Sequence, residues 1–278
     1  MKLYTINAEN WKLDGGATFG VVPKTIWNSM YPADELNYVN IKNRCLLIET
    51  EDRLIIVDTG LGRKQSEKFY QYKFIFGDDS LAKGFAEKGF SFDQVTDVIL
   101  THLHDDHVGG AVYRDADGNF KLTFPNATHW VSQRQWDWAL NPNLREAGAY
   151  FNENFLPIEA AGKLQLVKEE GEFIRGITFR LFHGHTDGQM IPIIDYKGKK
   201  LVYMADLIMG VAHLHIPFVP SFDIQPLISL KEKELFLNEA VDNNYYLYFE
   251  HDFYNEICTL SQTPKGIRHK EILTLNDL

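Results

Sequence analysis

The chain has 278 residues, and its hydrophobic, aromatic and charged shares of 45%, 13% and 24% are those of an ordered globular protein long enough to bury a large core. A formal net charge of -10 works against phosphate backbones and anionic lipid surfaces, whose recognition needs clustered Lys and Arg. Nucleic-acid and membrane partners are therefore not expected. The first residues form no signal-like apolar run, and no later stretch is long enough to span a bilayer, so a cytoplasmic location is expected. Cys45 and Cys258 lie in apolar contexts without CxxC spacing and read as reduced, buried thiols.

In chain order, residues 9 to 38 come first, with Trp11, Phe19, Trp27, Tyr31 and Tyr38 set among turn formers, and read as irregular. β-branched apolar runs predict strands at 46–49 and 54–57. Helical spacing then predicts a helix over 81–88, followed by a strand at 98–100 and a helix over 132–140. A second irregular stretch, 140–162, carries Tyr150, Phe151 and Phe155. Strands follow at 177–182, 190–194 and 201–204, then a helix over 227–241 opening near Pro226, and a strand at 246–249. Mixed strands and helices imply a layered α/β protein. No repeat and no Pro/Gly/Ser linker divides it, so a single domain over 1–278 is expected.

The chemistry concentrates in Thr101-His102-Leu103-His104-Asp105-Asp106-His107-Val108-Gly109-Gly110, directly after a strand. Three imidazoles and a carboxylate within six residues are good ligands for zinc or a similar divalent ion. His102 and His104 are two apart and point the same way on an extended segment. Asp106 and His107 follow once the chain turns toward a helix, aimed at a second point. Gly109 and Gly110 allow close backbone packing beside the ions. Asp58, at the end of the buried run Ile55-Ile56-Val57, reads as an acceptor that fixes the tautomer of a ligand imidazole.

Three more candidates end apolar runs: His185, Asp206 and His251. They belong where α/β folds gather ligands, at the rim of a sheet. His183, two residues before His185, reads as a supporting rather than a ligating residue. His213 alternates with apolar neighbours and is a candidate to face the region near Asp206.

Taken together, from Asp58 to His251, these residues resemble the metallo-β-lactamase superfamily. The resemblance implies an αββα sandwich, two mixed sheets flanked by helices, with the active site at the sheet edge. It implies two divalent metal ions, zinc first among zinc, manganese, iron and cobalt. His102, His104 and His185 would hold one ion, Asp106, His107 and His251 the other, and Asp206 would bridge. Such a centre would use a hydroxide held between the ions to open a lactone or ester, with Asp106 delivering a proton to the leaving alkoxide.

Within the superfamily the chain is unlike the true β-lactamases, many of which have Arg or Cys at certain ligand positions where His107 and Asp206 stand. It is closer to the branch of the N-acyl-homoserine lactone lactonases and methyl parathion hydrolase, on the Phe19-Gly20-Val21-Val22-Pro23-Lys24 and Ala205-Asp206-Leu207 segments. Many quorum-quenching lactonases carry a Tyr three residues after the bridging Asp; here that position is Met209, which moves weight toward the methyl parathion hydrolase type. Phe19, Trp27, Met209 and His213 are the candidates for lining a pocket for a small-molecule substrate. The alternatives are a phosphotriesterase or arylesterase using the same cage, glyoxalase II, a ribonuclease, and a low-turnover ligand-binding protein. A sparse basic C-terminus disfavours glyoxalase II and the acidic balance disfavours a ribonuclease. The oligomeric state stays open, a homodimer included.

Overall fold

The structure is a computed structural model describing residues 1–278. Two compact units emerge, one of Met1–Asn10 with Asn43–Glu169, the other of Trp11–Lys42 with Glu170–Leu278.

A six-stranded sheet organises the first unit. In chain order the strands are β1 (Lys2–Asp14), β2 (Tyr38–Glu49), β3 (Leu54–Val57), β4 (Asp97–Ile99), β5 (Val112–Arg114), β6 (Phe120–Leu122), β7 (Thr128–Ser132) and β8 (Leu164–Val167). The sheet order is β1-β2-β3-β4-β7-β8, and β5 with β6 form a separate hairpin. β2 and β3 are antiparallel, whereas β3, β4, β7 and β8 run parallel. Parallel strands must be buried on both faces, which explains why Leu54-Ile55-Ile56-Val57 is apolar throughout and buried throughout. Ile56, Val98, Leu100 and Val131 pack with Phe85, Phe124, Trp136, Phe155 and Ile158 in the core of this unit. Each such side chain contributes about 1.5–3 kcal/mol by leaving water. The helix Gln133–Leu140 starts where the Ser132 hydroxyl accepts from the Gln135 amide at 3.0 Å, satisfying one of the first-turn donors.

The second unit contains the seven-stranded sheet, with β9 (Gly171–Ile174), β10 (Ile177–Phe182), β11 (Gln189–Tyr196), β12 (Lys199–Tyr203), β13 (Tyr246–Tyr248), β14 (Ile257–Thr263) and β15 (Gly266–Leu273). Its order is β15-β14-β13-β12-β11-β10-β9, parallel only between β12 and β13. The helix Pro226–Asp242 makes that parallel return and packs on β14 and β15. Pro226 sits in its first turn, where a missing N–H goes unneeded.

All seven expected strands and three expected helices are present. The stretches read as irregular are more ordered than expected. Residues 2–14 are one long strand, hidden in the sequence because the buried Glu9 and Asn10 break the apolar alternation. Asn152–Ala160 is a helix with Pro157 inside it. No helix is long and apolar enough to cross a membrane.

Candidate metal centre

In the first unit, β4 delivers the motif and a helical turn, Asp105–Val108, aims its second half. The turn is clamped by Thr59, whose amide and hydroxyl both donate to the His107 carbonyl at 2.8 Å. A Cβ on Gly109 would strike the Leu61 carbonyl, and one on Gly110 the Thr59 carbonyl. Only glycine permits this approach. Asp58 adopts a left-handed φ of 56°, a strained conformation that neighbouring structure must enforce. It is enforced by three donors: the Thr101 amide at 2.8 Å, the Thr101 hydroxyl at 2.7 Å and His107 Nδ1 at 3.1 Å. The structure thus places the Asp58 carboxylate within hydrogen-bond distance of the His107 ring.

These outer partners determine where the lone pairs lie. The Thr101 hydroxyl spends its proton on Asp58, so it accepts from His102 Nδ1 at 3.1 Å and leaves His102 Nε2 without a proton. His104 Nε2 donates to the Glu146 carboxylate at 2.8 Å, leaving His104 Nδ1 bare. Yet His102 Nε2 and His104 Nδ1 face each other at 3.0 Å. Two lone pairs at that distance repel unless a cation sits against both. In the same way, His107 Nδ1 is taken by Asp58, and His107 Nε2 faces Asp106 Oδ1 at 3.7 Å. The neighbouring Asp105 turns away to pair with Lys73 at 2.7 Å.

The second unit repeats the logic around one carboxylate. His185 Nδ1 donates to Asp223 at 2.9 Å and His251 Nδ1 to the Lys42 carbonyl at 3.0 Å. Their Nε2 atoms each lie 3.0 Å from a different oxygen of Asp206, His185 at Oδ2 and His251 at Oδ1. Burial disfavours the His185 imidazolium, but Asp206 and Asp223 outweigh it and push its pKa up to about 10: the surroundings of this ring stabilise positive charge. Ala205, just before Asp206, has a left-handed φ of 40°. In each unit, then, imidazoles whose outer nitrogens are engaged lie beside carboxylates, a donor set of the kind that binds divalent cations.

The remaining candidates fall in the second unit. Met209 and His213 line a void of about 10 Å³ together with Asp206, Phe218, Asp223 and Lys233, room for about one water. Phe19 and Trp27 are buried in a stack, with Phe19 centroids 4.8 Å from Trp27 and 4.7 Å from His213. His183 pairs with Asp187 at 2.7 Å. Burial and Lys233 hold the His213 pKa down to about 3, so it is a neutral ring. Sequence reading missed Glu146 and Asp223. Both lie in loops without a local pattern, and only the acceptor that a ligating imidazole needs would have prompted a search for them. A larger hollow of about 810 Å³ in the first unit is lined by Phe92, Tyr113, Phe120 and Leu122 and holds none of the candidate ligands.

The profile of the metallo-beta-lactamase superfamily matches residues 42–251. An N-acyl homoserine lactonase of Bacillus cereus is 25% identical over 235 residues, 79% of this chain and 85% of that one. The crystal structure of a probable metal-dependent hydrolase from Staphylococcus aureus superposes with a TM-score of 0.88 at 30% identity, covering 98% of each chain. A dizinc quorum-quenching lactonase, AidC, in complex with its product, gives 0.80 at 23% identity over 98% of this chain and 95% of that one. With two mixed sheets, flanking helices and the histidine motif inside the matched segment, the chain belongs to the metallo-beta-lactamase superfamily, as one of its metallo-hydrolases.

Proposed function

We propose that this chain is a single-domain hydrolase that uses two divalent ions, and we assign His102, His104 and His185 to one ion, Asp106, His107 and His251 to the other, and Asp206 to both. The substrate we assign is a lactone or ester, N-acyl-homoserine lactones first. The observation that carries this reading is Asp206, whose two oxygens each face a different imidazole at 3.0 Å. Bound ions of this kind make water nucleophilic near neutral pH and polarise an electrophilic oxygen.

The chain's own residues do the rest. The outer acceptors Asp58, Glu146, Asp223 and the Lys42 carbonyl hold the rings in one tautomer, so no reorientation is needed when substrate arrives. To Asp106, the more exposed carboxylate of the motif, we assign the relay of a proton from the attacking water to the leaving alkoxide. Its backbone is held by Asn43, whose side-chain amide donates to the Asp106 carbonyl at 2.8 Å. The net charge of -10 favours a small neutral substrate over a polyanion. The apolar burial of Cys45 and Cys258 suits a reducing compartment such as the cytoplasm. Zinc is the first choice of metal.

Purified protein reconstituted with zinc or manganese should open acyl-homoserine lactones; no turnover across a lactone panel removes that substrate. Met209 favours a second reading, a phosphotriesterase or arylesterase of the methyl parathion hydrolase type. It is buried beside Asp206 and offers no phenol to a lactone. Paraoxon and aryl esters measured on the same preparation distinguish the two by relative kcat/KM.

A further inference from the structure

We propose that Glu146 is the positioning residue of His104, and that through it the order of the 141–149 loop and the retention of metal depend on each other. This rests on the reading that His104 binds metal through Nδ1.

Glu146 lies in the loop between the helices Gln133–Leu140 and Asn152–Ala160, with a buried carboxylate. Oε1 accepts from His104 Nε2 at 2.8 Å and meets the Tyr150 hydroxyl at 2.8 Å. Oε2 accepts from Trp138 Nε1 at 2.6 Å and Asn143 Nδ2 at 3.1 Å. Asn143 also folds the loop around this point, its Oδ1 accepting from the Arg145 and Glu146 amides at 2.9 and 3.1 Å. Donors thus converge on both oxygens, and only a carboxylate has two acceptor oxygens to meet them. A glutamine would satisfy one side and set its NH2 against donors on the other.

One carboxylate therefore serves two purposes. It fixes the His104 tautomer and makes Nδ1 more basic toward a cation. It also gathers Trp138, Asn143 and Tyr150, which hold the loop. An ion drawing on Nδ1 strengthens the Nε2–H bond to Glu146, and a settled Glu146 keeps His104 aimed. By linkage each must favour the other.

The test uses the full chain, stripped and titrated with zinc against a competing chelator, with tryptic cleavage after the exposed Arg145 as the readout of loop order. In the wild type, zinc should slow that cleavage. Glu146→Gln should weaken zinc binding by about 10- to 100-fold, abolish the protection and shift the absorption bands of the cobalt-loaded protein. Wild-type affinity in Glu146→Gln, or cleavage indifferent to zinc in the wild type, overturns the coupling. A wild type that binds no zinc overturns the metal reading itself, and the coupling with it. Should Glu146→Gln fold poorly, Trp138→Phe leaves the His104 contact in place and removes one loop donor. Faster cleavage with weaker zinc binding then supports the coupling, and faster cleavage with unchanged zinc binding overturns it.

Discussion

His251 Nε2 lies 3.0 Å from Asp206 Oδ1, while Nδ1 of the same ring gives its proton to the Lys42 carbonyl at 3.0 Å. A backbone carbonyl can only accept, so whenever the ring is neutral its lone pair is directed at a carboxylate. Such a contact is repulsive until positive charge reaches it. Asp206→Ala should therefore lower metal content for both ligand sets at once, whereas His104→Ala should affect chiefly the set of His102. Elemental analysis of the two variants after dialysis checks this; an Asp206→Ala protein retaining its full metal content refutes the shared role. Hydrolysis should fall with metal in each case.

Removal of metal should cost stability. If the wild type binds ions only when folded, zinc at about 100 times its Kd adds about 2.7 kcal/mol for each site. Thermal melts with a chelator and with added zinc measure this directly. A melting temperature indifferent to zinc contradicts a built metal site.

Asp58→Ala should be severely destabilising. It leaves the buried Thr101 amide, Thr101 hydroxyl and His107 Nδ1 without their acceptor, at about 1–3 kcal/mol for each buried group left unpaired. Asp58→Asn keeps the shape and should recover part of the loss. Urea titration of both variants gives the order, wild type above Asn above Ala.

Met209→Tyr tests whether a phenol simply restores a lactonase. The void beside Met209 is about 10 Å³, too small for the added ring, so the substitution should overpack and cost about 1–3 kcal/mol. Any gain in lactone over phosphotriester turnover should come with a lower melting temperature. Unchanged stability would mean that the ring leaves for solvent.

Lys233 gives a pH dependence with a definite sign. Its ammonium is buried, donating to the carbonyls of His215 at 2.9 Å and Phe218 at 2.7 Å. Burial lowers its pKa from 10.5 to about 7, partly opposed by Asp223. Between these values the unfolded chain binds more protons than the folded one, so this group makes stability rise with pH from about 7 toward 10.5. Below pH 7 its full penalty is present. The slope approaches about 1.4 kcal/mol per pH unit, and Lys233→Met should remove that component in urea titrations at pH 7.5, 8.5 and 9.5. An equal slope in the variant would assign it elsewhere.

Local spacing was enough for much of this protein. Strands such as 54–57 and 177–182 are legible because burial on a sheet face demands unbroken or alternating apolar residues, and the candidate ligands of 102–107 are legible because an ion needs several donors and here they crowd into a few residues. Strand β1 was not, since buried Glu9 and Asn10 sit where apolar residues would mark it.

What the sequence by itself determined is the kind of atom this site can offer to a metal. Which nitrogen of each ring is offered was decided by tertiary structure. His104 meets Glu146 across 42 residues and His185 meets Asp223 across 38, and no local pattern records an acceptor that far along the chain. The same holds for Phe19 and Trp27, aromatic in sequence but sealed by stacking in the fold. Ligand type is a property of the residue, whereas proton position and burial are properties of what packs against it.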